Sequence, residues 1–455
     1  MWRPNPAKTR PLYRGVVAAL QRDIASGALT AGQRLPTHRR LAHELGVTVG
    51  TVTKAFTEAE RMGLLVSRVG RGSYVLQFPE AAAAADREAK GQIDLSVNTV
   101  TIEPFNTSLN KVLGALSRRK SLYSLLEYHP VPGLLRHRAA GAKWLRMRGI
   151  EAQPDSIIVC NGSQEGLMAT LAAVTKPGDA ILTEQLNYAG VKRLADLFRL
   201  DIRGVPTDAF GLRPDMLRAT AKDISVGAIL CSPTLHNPTN AIMPLDRRKE
   251  ILAIAAGLGA YVIEDDSGGH LSGDETPTMA SLDKSRCIYL CGTSKSVAPG
   301  LRVGYLHGPA AMMSRLHEGV CATSWTSPSL MGEIASVLIE ERVAERFVAW
   351  HRKEAAERGA IAAQIFGRPD IVPPRPTYHL WLELPAPWRA GEFAAQARLR
   401  GALVSPADVF AVDRSPAPHA VRISLGGVAA RTRLAEGLRA VAETLAARPS
   451  LPLAV

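Results

Sequence analysis

Two hydrophobic patterns divide the chain into an N-terminal part and a longer remainder. In the first 76 residues, apolar positions recur every three or four residues, and "LYRGVVAALQRDIASG" predicts a helix that ends at Gly27. Two shorter helices follow, "LPTHRRLAHELGV" with Thr37 as its N-cap and "TVGTVTKAFTEAERMGLL" with Thr48 as its N-cap. Gly46 ends the first of these two, so the short connection predicts a helix-turn-helix. Alternation in "LLVSRVGRGSYVL" predicts a hairpin with its turn at Gly70-Arg71-Gly72.

In the remainder, short apolar runs alternate with helical stretches. Residues 77–92, "QFPEAAAAADREAKGQ", have no apolar face, and we interpret them as a linker. The strand candidates beyond it are "IIVC" (157–160), "AILT" (180–183), "GAILC" (227–231), "AYVIE" (260–264), "CIYLC" (287–291) and "VGYL" (303–306). The helical spacers between them predict a mostly parallel α/β sheet. Residues 93–455 are expected to form a large lobe over about 93–335 and a smaller α+β lobe over about 336–455, in which "YHLWLEL" and "AVRISL" are typical of strands.

Length and composition agree with a folded protein of more than one domain. The chain has 455 residues, of which 46% are hydrophobic and 21% are charged, and it is too long for one ordinary core. No apolar run is long enough to cross a bilayer and "MWRPNPAKTR" lacks the apolar core of a signal peptide, so we expect a cytoplasmic protein. The five cysteines are scattered and four border strand-like runs, which favours buried thiols over disulfides or a metal site.

Positive charge is concentrated in the N-terminal part. Residues 1–76 contribute +8 of the formal net charge of +13, which indicates a polyanionic partner. A solvated helical bundle is the alternative, but the turn spacing, the hairpin and the local charge together favour a winged helix-turn-helix that binds DNA. The residues expected to contact bases or phosphates are Arg39, Arg40, Thr48, Val49, Gly50, Thr51, Lys54 and Arg71.

Polar residues follow the strands of the remainder, at the sheet edge where α/β proteins bind ligands. After "IIVC", Gly162 allows close backbone approach, and the N–H groups of Ser163 and Gln164 lie at a helix start that favours a phosphate. Later strand ends carry an aromatic ring, an amide, a carboxylate, a hydroxyl, an amine and a guanidinium, namely Tyr188, Asn237, Asp265, Ser294, Lys295 and Arg302. Each of these alone is more often structural than functional. Together they supply the lysine, acid, aromatic face and phosphate cup that pyridoxal 5′-phosphate (PLP) requires.

Two resemblances to known families sharpen these expectations. The segment "PLY…DIASGALTAGQRLPTHRRLAHELGVTVGTVTKAF…MGLLVSRVGRGSYV" resembles the winged helix-turn-helix of the GntR family of bacterial transcription regulators. Members of that family often carry Arg where this chain has Val49, which implies that one DNA contact is absent. From about residue 93 to the C-terminus, the order of the motifs resembles the PLP-dependent fold type I aminotransferases. The fusion of the two resembles the MocR subfamily of GntR-type regulators over nearly the entire chain.

The aminotransferase resemblance implies a role for each candidate residue of the larger domain. Lys295 matches the lysine that forms the Schiff base with PLP, and Asp265 matches the acid that holds the pyridine nitrogen protonated. Asn237 matches the residue that bonds the ring hydroxyl, and Tyr188 matches the aromatic residue that stacks on the ring. The residues that match the phosphate cup are Ser163, Gln164, Ser294 and Arg302.

Two further matches and two departures from the family pattern bear on function. Arg422 in "AVRISL" matches the arginine that binds a substrate carboxylate. Tyr128 in "EYHPVPG" matches a tyrosine that reaches the phosphate of the partner subunit, which implies a head-to-tail homodimer with shared sites. Ser267 stands where the family usually has Tyr, so the ring hydroxyl is expected to lose a donor. Asn240 stands where the family usually has Gly, and Asn tolerates left-handed backbone angles.

The resemblance implies a transcription regulator that binds double-stranded operator DNA. In this interpretation the PLP-bound domain senses an amino compound or PLP itself, and a shift of its lobes repositions the DNA-binding part. The alternative is a catalytically active aminotransferase that transfers an amino group between an amino acid and a 2-oxo acid, and a bifunctional protein is the third option. The basic N-terminal part and Ser267 favour the regulator. The sequence leaves the effector, the operator and the sign of regulation open.

Overall fold

The computed structural model describes residues 2, 4, 11–25, 29, 33–61, 64–68, 72–75, 91–101 and 105–447. Tertiary contacts divide the chain into two compact units, Met1–Gln92 and Ile93–Val455. The predicted helix end at Gly27, the hairpin tip with Arg71 and most of the predicted linker lie outside the described residues.

The described residues of the first unit form three helices and a hairpin, which are α1 (Leu12–Ala25), α2 (His38–Leu45), α3 (Val49–Arg61), β1 (Leu65–Arg68) and β2 (Gly72–Val75). α2 begins after Thr37, whose side chain accepts a hydrogen bond from the N–H of Arg40, and it ends at Gly46 with a φ of 64°. α3 begins after Thr48, whose hydroxyl accepts from the N–H of Thr51 at 3.2 Å. These caps confirm the predicted helix-turn-helix, because they stop one helix and start the next within three residues.

A small apolar core joins α1, α2, α3 and the hairpin. The helical residues at its centre are at most 2% exposed, and they are Val16, Leu20, Leu41, Val52 and Phe56. The strands pair antiparallel, with Leu65 opposite Val75, and both of these side chains are buried in the same core. Burial of the hairpin's apolar side against α3 fixes the hairpin as the wing of the motif.

The second unit contains fourteen described strands, several of which are only two residues long. They are β3 (Ile93–Asp94), β4 (Ile157–Cys160), β5 (Ala180–Glu184), β6 (Asp201–Val205), β7 (Thr207–Asp208), β8 (Gly211–Leu212), β9 (Val226–Cys231), β10 (Tyr261–Asp265), β11 (Cys287–Gly292), β12 (Gly304–His307), β13 (His379–Glu383), β14 (Ala402–Leu403), β15 (Ser405–Pro406) and β16 (Ala420–Ser424). Seven of them form one sheet in the order β4-β12-β11-β10-β9-β5-β6. All neighbours are parallel except β12, which is antiparallel to β11 and to β4. The sheet contains all six predicted strands and confirms the α/β class.

The α-helices of the second unit are α4 (Asn106–Ser117), α5 (Leu135–Arg146), α6 (Ser163–Val174), α7 (Ala189–Phe198), α8 (Pro214–Thr220), α9 (Leu245–Leu258), α10 (Gly269–Ser272), α11 (Met279–Leu282), α12 (Met313–Ser324), α13 (Ser329–Glu340), α14 (Val343–Phe366), α15 (Ala390–Leu399) and α16 (Arg431–Ala446). Among the described residues, no helix of either unit has both the length and the apolar character that crossing a bilayer demands.

Apolar cores lie on both faces of the seven-stranded sheet. In β4, Ile157 and Val159 pack into one core, whereas Ile158 and Cys160 pack into the other. All four side chains are at most 1% exposed. Successive side chains of a strand point to opposite faces, so burial on both faces makes every position of such a strand apolar.

The C-terminal elements form a smaller lobe with its own core. β13, β16 and β15 pair antiparallel in that order, and β3 runs parallel to β14. Ile93 and Leu95 pack into this core with Leu380, Ile423 and Leu438. The predicted large lobe begins at residue 93, but this first strand packs in the smaller lobe, because within the described part of the chain it pairs with β14 alone.

The cysteines are free thiols, as predicted. Cys160, Cys231, Cys287 and Cys291 are buried in strands, and Cys321 is partly exposed. Burial raises the pKa of the four buried thiols well above the usual value, so they stay protonated and pack as small apolar side chains.

Candidate functional site

The carboxyl ends of the central strands open onto a cavity of about 460 Å³ in the second unit. Nine of the eleven residues predicted for this site line the cavity, and they are Ser163, Gln164, Tyr188, Asn237, Asp265, Ser294, Lys295, Arg302 and Arg422. The parallel sheet brings them together because strand ends that are distant in sequence meet at one edge. The other two are absent from the described lining, although Gly162 directly precedes the lining residue Ser163, and the second is Tyr128.

Gly162 allows the start of α6 to lie close to the Arg302 guanidinium, and Gly304 allows it to lie close to β12. Gly162 is the N-cap of α6, with a φ of 81°. A Cβ atom at Gly162 would lie 2.6 Å from Nη2 of Arg302, and one at Gly304 would lie 2.8 Å from the backbone nitrogen of Ser163. Glycine is therefore required at both positions. A helix N-terminus beside a guanidinium is an arrangement that binds phosphate groups.

Lys295 supplies a partly buried amine. Its Nζ donates a hydrogen bond to the main-chain oxygen of Asn98. Burial, together with the positive charges of Arg422 and Arg302, lowers the pKa of Lys295 to about 8, while the Asp265 carboxylate acts in the opposite direction. A lysine with a lowered pKa is a stronger candidate nucleophile near neutral pH than an exposed one.

Asp265 ends β10 at the cavity. Burial raises its pKa, although the hydroxyl and the N–H of Ser267 favour the carboxylate by donating to its Oδ1 at 2.5 and 3.1 Å. The Ser267 hydroxyl is therefore committed to Asp265. A cation or a proton donor in the cavity would stabilise the ionised acid further.

Arg422 reaches the cavity from β16 of the smaller lobe. Its Nη1 donates to Oδ1 of Asn237 at 2.8 Å, and its Nη2 donates to the main-chain oxygen of Ser96 at 2.6 Å. Burial lowers the pKa of Arg422 to about 10. Its Nε is buried and has no hydrogen-bond partner among the described residues. A buried guanidinium with an unused donor can bind a carboxylate.

The two predicted tyrosines lie in different surroundings. Tyr188 lines the cavity, and its ring covers Gly190, where a Cβ atom would come within 2.2 Å of a ring carbon. Tyr188 is 43% exposed, so part of its ring is open to a ligand. Tyr128 is 89% exposed and is absent from the lining residues that the structure describes. Its role in a partner subunit stays a prediction.

Three residues of the smaller lobe, Thr377, Tyr378 and His379, also line the cavity and were not predicted from the sequence. Thr377 and Tyr378 directly precede β13, and His379 begins it. The pattern of "YHLWLEL" predicts a strand but gives no sign of a binding site. The main-chain oxygen of His379 accepts from Nδ2 of Asn240 at 2.9 Å. Asn240 has a φ of 62°, which confirms that Asn supports the left-handed turn at this position.

The residues predicted to face DNA lie on the outside of the helix-turn-helix, apart from Arg71, which lies outside the described residues. None of the others is buried, and they are Arg39, Arg40, Thr48, Val49, Gly50, Thr51 and Lys54. The Thr48 and Thr51 hydroxyls bond each other at 2.9 Å, and Arg40 pairs with Glu44 at 3.0 Å. These contacts hold polar side chains at the surface that such motifs present to DNA.

Comparisons with known proteins connect the two units to two families. Residues 12–75 match the family described as bacterial regulatory proteins, gntR family. Residues 90–438 match the family described as aminotransferase class I and II, and they belong to it.

Relatives named as regulators align with two thirds or more of the chain. YdeF of Bacillus subtilis, an HTH-type transcriptional regulator, is 28% identical over 443 residues, which cover 96% of this chain and 95% of YdeF. PdxR of Corynebacterium glutamicum, an HTH-type pyridoxine biosynthesis transcriptional regulator, is 30% identical over 312 residues, or 67% of this chain and 68% of PdxR. MocR of Rhizobium meliloti, a probable rhizopine catabolism regulatory protein, is 28% identical over 386 residues, or 78% of this chain and 76% of MocR. The chain belongs to the MocR subfamily of GntR-type transcription regulators.

Solved structures support the fold of the larger unit of this MocR-type regulator. An archaeal alanine:glyoxylate aminotransferase matches with a TM-score of 0.73 and 22% identity, over 80% of this chain and 93% of the enzyme. LysN, the alpha-aminoadipate aminotransferase of Thermus thermophilus, was solved in complex with N-(5′-phosphopyridoxyl)-L-leucine. It matches with a TM-score of 0.71 and 23% identity, over 81% of this chain and 97% of LysN.

Proposed function

We propose that this MocR-type regulator binds PLP in the cavity, and that an amino compound or PLP itself bound there changes the affinity of the N-terminal unit for operator DNA. One observation carries the proposal. An amine with a pKa of about 8, a partly buried carboxylate and the N-terminus of α6 meet in one cavity, in a chain that also has a helix-turn-helix.

The residues present fit PLP in charge and size. The start of α6 with Arg302 suits the phosphate. Asp265, whose pKa is raised by burial, would be stabilised as a carboxylate by a protonated ring nitrogen. The cavity of about 460 Å³ lies within the range of ~300–1,000 Å³ that is usual for small-molecule sites.

Each residue has a distinct task in this proposal. When bound, PLP supplies an aldehyde carbon that reacts with amines and a ring that withdraws electrons. Lys295 supplies the protein's own amine, and Asp265 keeps the proton on the ring nitrogen. Tyr188 packs against the ring, and Asn237 is available to its hydroxyl while it holds the Arg422 guanidinium. Arg422 offers its unused Nε to the carboxylate of the amino compound.

Sensing is favoured over turnover by Ser267. Its hydroxyl donates to Asp265 at 2.5 Å, so it does not replace the tyrosine that many aminotransferases direct at the ring hydroxyl. Aminotransferase activity remains the second candidate, since Lys295, Asp265 and Arg422 all line the cavity. A working aminotransferase would turn over an amino acid with a 2-oxo acid at a steady rate without needing DNA.

We also propose a homodimer. The segment that contains Tyr128 exposes several large apolar side chains, with Tyr123 68%, Leu126 77% and Tyr128 89% exposed. A second copy of the chain would cover them and bring Tyr128 to the partner's cavity. Sedimentation of the full-length protein would test this, and a monomer at micromolar concentration would contradict it.

The regulatory proposal is tested with the full-length protein and the DNA beside its own gene. We expect PLP-loaded and PLP-free protein to differ in dissociation constant by at least about fivefold, the lower end of usual coupling energies. Lys295→Ala should lose the visible absorption band of the loaded protein and the difference in DNA affinity together, because both depend on the amine. Equal DNA affinity of the loaded and unloaded protein, combined with steady amino transfer, would contradict the proposal and favour the enzyme.

A further inference from the structure

Three buried side chains beside the cavity form a hydrogen-bonded series that fixes where their protons lie. Nδ2 of Asn240 donates to the main-chain oxygen of His379 at 2.9 Å, which turns the amide oxygen Oδ1 toward Thr377. Oγ1 of Thr377 lies 3.1 Å from that Oδ1 and 3.3 Å from Nδ1 of His379. The three residues are at most 7% exposed. An amide oxygen can only accept, so the Thr377 hydroxyl donates its one proton to Asn240.

The direction of this series sets the tautomer of His379. Since Thr377 donates to Asn240, its oxygen can only accept from His379, and Nδ1 therefore carries the ring proton. In the opposite direction, Oδ1 of Asn240 would be buried without a donor among the described residues. Burial lowers the pKa of His379 well below the usual value, and the positive charges of Arg422 and Lys295 act in the same direction. The ring is thus neutral, and Nε2 carries a lone pair.

Nε2 of His379 is an acceptor whose hydrogen bond a ligand can supply. His379 lines the cavity and is 4% exposed, and its Nε2 is buried without a hydrogen-bond partner among the described residues. The main chain of His236 acts in the direction of a higher pKa for the His379 ring, but it forms no hydrogen bond with Nε2. A buried acceptor without a donor is costly, and a ligand that brings a donor removes this cost.

We propose that Nε2 of His379 accepts a hydrogen bond from an uncharged O–H or N–H group of the effector, which makes His379 a specificity-determining residue. This inference rests on the proposed function, because it needs an amino compound bound at this cavity. The donor is uncharged because Arg422, Arg302 and Lys295 line the same cavity and repel a second ammonium. A side-chain carboxylate would place its lone pairs against that of Nε2. The effector class is therefore amino acids with a hydroxyl or carboxamide in the side chain.

The inference is tested by titrating the PLP-loaded, full-length protein with matched amino acids and following the visible absorption band. The pairs are L-serine and L-alanine, L-threonine and L-valine, and L-glutamine and L-methionine. We expect the donor-bearing member of at least one pair to bind about tenfold more tightly, the worth of one buried hydrogen bond. No preference in any pair of the native protein would overturn the inference.

Three variants assign the preference to the hydrogen-bonded series. His379→Phe should reduce it to less than about twofold, whereas His379→Gln should retain part of it because a carboxamide oxygen can accept. Asn240→Gly is the matched control for the tautomer, since glycine tolerates the φ of 62° and removes only the amide. It should weaken the preference without loss of the absorption band. A preference that survives His379→Phe unchanged would overturn the inference, whereas failure of the native protein to form the band would overturn the proposed function.

The tautomer itself can be measured without an effector. Long-range ¹H–¹⁵N spectra of the full-length protein labelled with ¹⁵N-histidine, compared with those of His379→Phe, identify which nitrogen carries the proton. We expect the proton on Nδ1 at neutral pH. A proton on Nε2, directed at the His236 carbonyl, would overturn the inference even if PLP binds as proposed.

Discussion

The lowered pKa of Lys295 leads to a quantitative prediction for how fast the PLP-free protein captures the cofactor. Only an unprotonated amine attacks an aldehyde. With a pKa of about 8, about one Lys295 amine in ten is unprotonated at pH 7, whereas a lysine at the ordinary value of 10.5 has about one in 3,000. Burial and the neighbouring cations thus increase the reactive fraction about 300-fold, before the weaker nucleophilicity of a less basic amine is counted.

Stopped-flow absorbance after mixing PLP-free protein with PLP, across neutral and alkaline pH, measures this fraction. The capture rate should rise with pH, reach half of its maximum near pH 8 and level off at higher pH. Arg422→Gln should move the midpoint upward, because it removes a positive charge that lowers the pKa of Lys295. Asp265→Asn should move it downward, because it removes a negative charge that raises this pKa. A native midpoint near 10, or a shift of both variants in the same direction, would refute this reasoning.

Two further predictions concern stability and DNA binding. Arg148→Met should reduce the free energy of unfolding by ~3–5 kcal/mol in urea denaturation, because it leaves the fully buried Asp266 carboxylate without the guanidinium 2.8 Å away. The exposed Arg146→Met is the control, and an equal loss in both variants would contradict the argument. Arg39→Ala should weaken binding to all DNA sequences alike and reduce the slope of log affinity against log salt by about one. An effect limited to one sequence would indicate a base contact instead.

The predictability of the sheet follows from where each strand lies. Inner strands such as β11 and the edge strand β4 are buried on both faces, so they appear in the sequence as unbroken apolar runs. β6, "DIRGV", lies at the other sheet edge with Asp201 exposed and only Val205 fully buried, so no such run marks it. The antiparallel direction of β12 follows from its short connection to β11, which leaves no room for a crossover helix.

From the residue pattern alone, the site was predictable only as far as one sheet extends, and Arg422 on β16 of the smaller lobe was predicted only through the family resemblance. Asp265 and Lys295 lie at or just beyond the ends of neighbouring parallel strands, and the α/β architecture alone brings such positions together. His379 begins β13 of the separate sheet in the smaller lobe, and Thr377 lies two residues before it. The position of that sheet against the cavity depends on side-chain contacts such as the one from Asn240. A tautomer set by three hydrogen bonds between residues 240 and 379 leaves no periodic pattern in the sequence.

The segment that follows residue 92 is hydrogen-bonded to the smaller lobe, which contains Arg422. The Leu95 carbonyl accepts from the N–H of Ser424, and the Ser96 carbonyl accepts from both the Arg422 guanidinium and the Ser405 hydroxyl. A carboxylate that draws Arg422 away from Ser96 would release one of these bonds a few residues after the predicted linker. Under the proposed function, binding at Arg422 would thus change the hydrogen bonds of the segment that directly follows the predicted linker, which is the covalent connection between the two units.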